Sequence, residues 1–154
     1  MAKHAFRTVL LLAEGTDEGM QAARTAIQLA ADEGGAIEIV SVVDTSTLRQ
    51  LLTSRIFVEE EMQEYEHDLE ASCRKQLDYV AGLTAKAKVR TNATLLKGAC
   101  HSVVLQEQER SKADLLVMGA FRATTVRTDL MAREKQLILD EIPCPVLLVP
   151  AARR

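Results

Sequence analysis

The stretch VMGAFRATTVRTDLMAR, residues 117–133, joins an apolar strand to a helix through one glycine and a run of hydroxyl and arginine side chains. In α/β proteins such a strand-to-helix turn lies at the carboxyl edge of the sheet, where phosphate groups are bound. A phosphate loop normally uses several glycines, whereas this segment has only Gly119. The stretch therefore predicts an α/β fold, and it raises the question whether its loop holds a nucleotide.

Segments of the same two kinds alternate along the whole chain. Apolar runs predict five strands, at residues 6–14, 36–44, 88–98, 113–119 and 145–150. Helical periodicity predicts the intervening helices, at residues 18–33, within 57–86, 101–111 and 128–141, and residues 46–56 are predicted as a shorter helix or an ordered loop. This alternation predicts one domain, residues 1–154, of class α/β, with a doubly wound five-stranded parallel sheet between two helical layers. The prolines that flank the last strand favour a sheet edge for it.

The first helix is marked at both ends and along one face. Thr16 or Asp17 can cap its start, and Gly34 can end it. Its apolar residues recur at helical spacing, which predicts a buried stripe. The predicted stripe consists of Met20, Ala23, Ile27 and Ala30.

Composition excludes several classes of function. A net charge of -3, with aromatic residues at only 3%, indicates neither a phosphate-backbone binder nor a base-stacking surface, so we expect no nucleic-acid partner. No apolar run is long enough for a membrane span.

Three widely separated cysteines favour reduced thiols and a cytoplasmic location. Cys100–His101 has no second ligand pair that would predict a metal site. No Ser/His/Asp arrangement or nucleophile elbow is present.

Three pieces of the chain, taken in order, resemble the universal stress protein family. VLLLAEGTDEGMQAARTAIQLA, residues 9–30, resembles the family's first strand, acidic turn and first helix. GACHSVVLQEQERSKADLLVMG, residues 98–119, resembles its third helix and fourth strand, and PCPVLLVP, residues 143–150, resembles its last strand. The resemblance spans nearly the whole chain. It implies a Rossmann-like fold of the adenine nucleotide alpha hydrolase type.

The nucleotide-binding branch of that family carries Gly-x-x-Gly, nine residues, and then Gly-Ser or Gly-Thr. The motif aligns here without a gap, and its first glycine is Gly119. The second glycine position holds Arg122, and the final pair holds Ala132 and Arg133. The family's acidic residue after the first strand, usually Asp, is Glu14. The resemblance therefore implies a degenerate ATP-binding motif.

A candidate nucleotide pocket follows from these loops, with two interpretations left open. Its arginines could attract a phosphate in place of the glycines. Alternatively, Gly119 is a strand-end turn residue, Glu14 a turn or cap residue, and Arg133 the helix partner of Asp129. We expect no bound cofactor, with ATP or AMP as the alternative. The candidate pocket residues are Glu14, Gly15, Thr16, Val43, Met118, Gly119, Arg122 and Arg133.

The function expected from this resemblance is a non-enzymatic stress-response regulatory or interaction protein without tight ATP binding. One alternative is an adenine nucleotide-binding protein that uses Arg122 and Arg133, and a second is an ATP-hydrolysing enzyme. The last strand is short, apolar and at a sheet edge, and such edges pair with other chains. The resemblance implies a homodimer formed by antiparallel pairing of these strands. The pairing residues would be Val146, Leu147, Leu148 and Val149.

Overall fold

The structure, a computed structural model, describes residues 6–54, 58–121 and 126–152, and within these the side chains of all but residues 47, 51 and 126–129. Strands and helices alternate in the predicted order, which is confirmed. The elements are β1 (Thr8–Leu12), α1 (Asp17–Glu33), β2 (Ala36–Asp44), α2 (Thr45–Thr53), α3 (Glu59–Lys86), β3 (Arg90–Gly98), α4 (Cys100–Ser111), β4 (Leu115–Gly119), α5 (Val126–Glu141) and β5 (Val146–Val149).

The described strands form one parallel sheet in the order β3-β2-β1-β4-β5. The chain builds outward from β1 to β3, then crosses β1 to add β4 and β5 on its other side. The predicted doubly wound α/β fold is confirmed, and β5 lies at the predicted edge. The strand order reverses between β1 and β4, and in open sheets ligands bind outside the carboxyl ends of strands at this point.

The sheet has an aliphatic core on each face, which is why its strands are continuous apolar runs in the sequence. Successive side chains of a strand point to opposite faces, so β1 and β4 contribute Leu11 and Val117 to one core and Leu10 and Leu116 to the other. Helices α1 and α3 complete the first core, and α4 and α5 complete the second. No helix in the described ranges is long and apolar enough to cross a bilayer.

The ends of α1 agree with the sequence prediction. Thr16 is the N-cap, and its Oγ1 accepts a hydrogen bond of 3.0 Å from the backbone amide of Gly19. Gly34 ends the helix with a φ of 64°, in the left-handed region that glycine adopts without strain.

The buried face of α1 differs from the predicted stripe. Of the predicted stripe, Ala23 and Ala30 are fully buried, Ile27 is partly buried and packs against the first core, and Met20 is partly buried. The helix is rotated so that small side chains meet the sheet, because only these allow a close approach between helix and strands. The residues that it buries are Gly19, Ala22, Ala23, Ala26 and Ala30.

The closest approach joins the first turn of α1 to the end of β4. A Cβ added to Gly119 would lie 2.8 Å from the carbonyl carbon of Glu18 and 2.9 Å from the amide nitrogen of Gly19. A Cβ added to Gly19 would lie 2.7 Å from the Cβ of Glu14. Real Cβ atoms do not come this close to their neighbours, so a larger residue at either position would push α1 away from the end of β4. This contact fixes the loop after β1 against the end of β4.

We predict that Gly119→Ala lowers the free energy of unfolding by about 1–3 kcal/mol, because the added methyl group must displace the first turn of α1. The matched control is Gly82→Ala in α3, where the added methyl group meets no atom within 4 Å. This exposed helical position should gain about 0.5–1 kcal/mol from the substitution. Urea unfolding followed by circular dichroism measures both variants. Equal stability of Gly119→Ala and the parent protein would contradict the packing role.

Candidate functional site

The ends of β1 and β4 border a site that we call the switch-point crevice, defined by Glu14, Gly119 and Phe121. Lys135 of α5 reaches into it. Its Nζ lies 2.8 Å from Oε1 of Glu14, donates a hydrogen bond of 3.0 Å to the carbonyl oxygen of Gly119, and lies 5.8 Å from the ring centroid of Phe121. The Lys135 side chain is 4% exposed and that of Glu14 14%. A buried ion pair therefore fills the position at which a ligand of this fold class would bind.

The charge of Glu14 depends on this pairing. Burial raises the pKa of the Glu14 carboxyl, and Lys135 and the Gly119 backbone lower the pKa only in part, while nearby Glu18 raises it further. Within the described part of the chain, Oε1 of Glu14 accepts no well-directed hydrogen bond. The ammonium of Lys135 is thus the group that compensates the buried carboxylate.

The amino end of α4 is satisfied by two further carboxylates. Oδ2 of Asp44, at the end of β2, accepts a hydrogen bond of 3.0 Å from the backbone amide of Cys100. Oε2 of Glu134, which precedes Lys135 on α5, accepts one of 2.8 Å from the amide of His101 and contacts Nδ1 of the same residue. A helix amino end attracts anions through its free amides. Here the chain supplies those anions itself.

The field of these carboxylates acts on one buried thiol. Cys100 is 2% exposed, and burial is the main reason that its pKa is raised. Asp44, Glu14 and Glu134 raise the pKa of Cys100 further, and Lys135 alone lowers it. Among the described residues, three carboxylates and one ammonium thus act on this thiol. Such a thiol is not a nucleophile.

Two of the predicted pocket residues meet in the crevice, and the side chains of two others are buried in strands. Glu14 and Gly119 are bridged by Lys135. Gly119 ends β4 outside the left-handed region, so close contact with α1, and not a turn with positive φ, explains the glycine. The side chains of Val43 and Met118 are fully buried in β2 and β4.

The remaining predicted residues are at the surface or outside the described residues. Gly15 and Thr16 are exposed, and Thr16 serves as the cap of α1. Arg133 is exposed on α5. Arg122 lies outside the described residues, as does the side chain of Asp129, the proposed partner of Arg133. The assignment of a nucleotide pocket to these residues remains a prediction.

The sequence prediction missed Lys135, although the sequence contains a signal for it. Lys135 lies four residues after Met131 and three before Ile138, and both of these belong to the core between α4, α5 and the sheet. A lysine on the buried stripe of a helix indicates a buried partner, since an unpaired ammonium is costly to bury. Its neighbour Glu134 was missed as well. In the described ranges, no group of three or more His, Cys, Asp or Glu side chains is placed to hold a metal ion.

We predict that Glu14→Gln lowers the free energy of unfolding by about 3 kcal/mol, because the ammonium of Lys135 loses its counter-charge while it stays buried. The double variant Glu14→Gln/Lys135→Met should recover most of this loss, because uncharged side chains of similar length then fill the crevice. Urea unfolding of the parent, the two single variants and the double variant gives the coupling energy. Additive losses in the double variant would show that the pair is not coupled.

Comparison with known proteins agrees with this architecture. The model of the universal stress protein family matches residues 5–150. A relative from Thermus aquaticus, described as a universal stress protein in the QAH/OAS sulfhydrylase 3′ region, is 28% identical over 149 residues, which are 94% of this chain and 98% of the relative.

Solved structures are similar in fold at low sequence identity. The structure of the hypothetical protein MJ0577 has a TM-score of 0.75 at 14% identity, over 97% of this chain and 99% of that one. The universal stress protein from Archaeoglobus fulgidus in complex with dAMP has a TM-score of 0.60 at 13% identity, over 96% of this chain and 99% of that one. The resemblance seen in the sequence is confirmed, and the chain belongs to the universal stress protein family.

Proposed function

We propose that this universal stress protein is a non-enzymatic regulatory or interaction protein of the stress response that does not bind ATP tightly. The observation that carries this proposal is the ion pair of Glu14 and Lys135 across the switch-point crevice. The carboxylate that could meet a ribose is instead bound to an ammonium of the same chain. A nucleotide would have to break that pair before it could enter.

Three further features of the site disfavour a phosphate group. The space beside Gly119 is taken by the first turn of α1, so this glycine does not provide a cradle for an anion. The amino end of α4 is occupied by Asp44 and Glu134. Among the described residues, a triphosphate would meet the carboxylates of Glu14, Asp44 and Glu134, whose repulsion would oppose binding.

The same features disfavour phosphoryl transfer as an activity. Catalysis of this reaction consists mostly of holding the phosphate groups and their metal ion in a fixed geometry. Besides the ammonium of Lys135, which is already paired with Glu14, the described crevice offers a carboxylate, a carbonyl oxygen and an aromatic ring, none of which holds a phosphate. We therefore assign no catalytic residues.

The alternative is that the protein binds an adenine nucleotide, ATP or AMP, through its arginines. It is favoured by the dAMP complex of the Archaeoglobus fulgidus relative, which has the same fold. Arg133 is exposed on α5 and free of the crevice's buried ion pair. In this alternative, Lys135 would leave Glu14 when the nucleotide binds.

A nucleotide assay separates the two proposals. We predict that denaturation of freshly purified protein releases no adenine nucleotide on chromatography, and that calorimetric titration with ATP or AMP gives no binding heat. The reason is that Lys135 already neutralises Glu14. The Archaeoglobus fulgidus relative, titrated with dAMP, is the positive control. A released nucleotide, or saturable binding at micromolar concentration, would favour the alternative.

We also propose a reducing, cytoplasmic location. None of the three cysteines, Cys73, Cys100 and Cys144, forms a disulfide. Chains that fold in oxidising compartments usually pair their cysteines, so cysteines without disulfides favour a reducing compartment.

We propose that the protein is a homodimer that pairs through β5. This strand is hydrogen-bonded to β4 on one side and forms the edge of the sheet on the other. Leu147 and Leu148 are exposed on it, with Val146 and Val149 partly buried. An edge strand with exposed aliphatic side chains pairs readily with a second copy.

We predict that Leu148→Asp converts the dimer to a monomer, because the carboxylate would be buried between two apolar strands. The matched control is Leu52→Asp on α2, since Leu52 and Leu148 are each 38% exposed. Light scattering after gel filtration measures the mass of both variants and of the parent. A Leu148→Asp variant that keeps the mass of a dimer would exclude pairing through β5.

A further inference from the structure

We propose that the switch-point crevice is a binding site for a primary ammonium group, which in this chain is filled by its own Lys135. The proposal deepens the proposed function and rests on it, since it names the chemical class that the crevice accepts in place of a nucleotide. An external occupant would be a small amine that carries an ammonium group, and it would have to displace Lys135.

The three partners of Lys135 are those that an ammonium group requires. A primary ammonium has three donors and no acceptor. In the crevice it meets the carboxylate of Glu14 at 2.8 Å, the carbonyl oxygen of Gly119 at 3.0 Å and the ring of Phe121 at 5.8 Å from the centroid. The carboxylate supplies the opposite charge, the carbonyl oxygen accepts a hydrogen bond that orients the ammonium, and the ring face attracts a cation.

These partners are held in place independently of Lys135. Glu14 and Gly119 belong to the ends of β1 and β4, and the contact of Gly19 with Glu14 and of Gly119 with the first turn of α1 fixes both loops. Lys135 comes from a different element, α5, and reaches the crevice with its side chain alone. Removal of that side chain beyond Cβ should therefore leave the backbone that carries the Glu14 carboxylate and the Gly119 carbonyl in position. The vacated space has the shape of propylammonium.

The charges around the crevice favour a cation over an anion. Besides Glu14, the carboxylates of Asp44 and Glu134 lie close enough to raise the pKa of the same Cys100 thiol. Removal of Lys135 removes the ammonium that favours the charged form of Glu14, and a bound external ammonium would supply that counter-charge again. A phosphate would be repelled from this position, whereas an ammonium would restore the lost ion pair.

The test is chemical rescue of Lys135→Ala by propylammonium chloride. The ligand should raise the melting temperature of this variant saturably, by about 4 °C at roughly ten times its dissociation constant. Sodium chloride at equal ionic strength and 1-propanol, which lacks the charge, should give no such rise. The parent protein should not respond, because its own lysine competes from within the chain at high effective concentration.

Two further variants separate site binding from general effects of the amine. Lys135→Met fills the space with an uncharged side chain and should not respond to propylammonium. Glu14→Gln/Lys135→Ala lacks the carboxylate and should not respond either. If Lys135→Ala does not fold alone, refolding from urea should yield native protein with propylammonium and not with 1-propanol. A response shared by all variants, or no response of Lys135→Ala in either assay, would overturn the proposal.

The outcome is independent of the nucleotide assay. Binding of AMP to the parent protein would reject the proposed function without bearing on the rescue of Lys135→Ala. Rescue of this variant by AMP in place of propylammonium would reject the ammonium site, since the crevice would then accept an anion. Failure of rescue with no nucleotide bound to the parent would leave the proposed function in place and reject the ammonium site alone.

Discussion

A carboxylate buried at the end of β1 requires a counter-charge, and Glu14 obtains it from the ammonium of Lys135. The pair joins β1 to α5 across the position where the strand order reverses. Burial strengthens the attraction and raises the cost of losing either partner. The cavity that defines a ligand site in many doubly wound proteins is therefore occupied here by a side chain. The proposals for the function of this chain follow from that occupancy.

Two adjacent residues of α5 carry opposite charges to different parts of the fold. Glu134 accepts hydrogen bonds at the amino end of α4, and Lys135 neutralises Glu14 after β1. The carboxylate suits the positive end of a helix, and the ammonium compensates a buried carboxylate. In this way α5 satisfies the carboxyl edge of the sheet with its own side chains.

The fold could be predicted from the sequence because strands and helix ends are marked by residues that are close together in the chain. Continuous apolar runs identified the buried strands, and Thr16 and Gly34 marked the ends of α1 through backbone chemistry that operates within a few residues. The stripe of α1 was predicted only in part, because Met20 and Ile27 are more apolar than the alanines that contact the sheet but are less buried. Side-chain size, and not hydrophobicity, decided that face, since the distance between helix and sheet is set by Gly19 and Gly119.

By itself the sequence determined the class of the fold, the order of its elements and the family. All of these depend on residue type and spacing along the chain. Only the tertiary structure decided what Glu14 and Gly119 do, because their partners, Lys135 and the first turn of α1, are placed by crossover connections. A lysine on the apolar stripe of a helix indicates, from the sequence alone, that a buried carboxylate pairs with it. Which carboxylate it meets depends on packing in three dimensions.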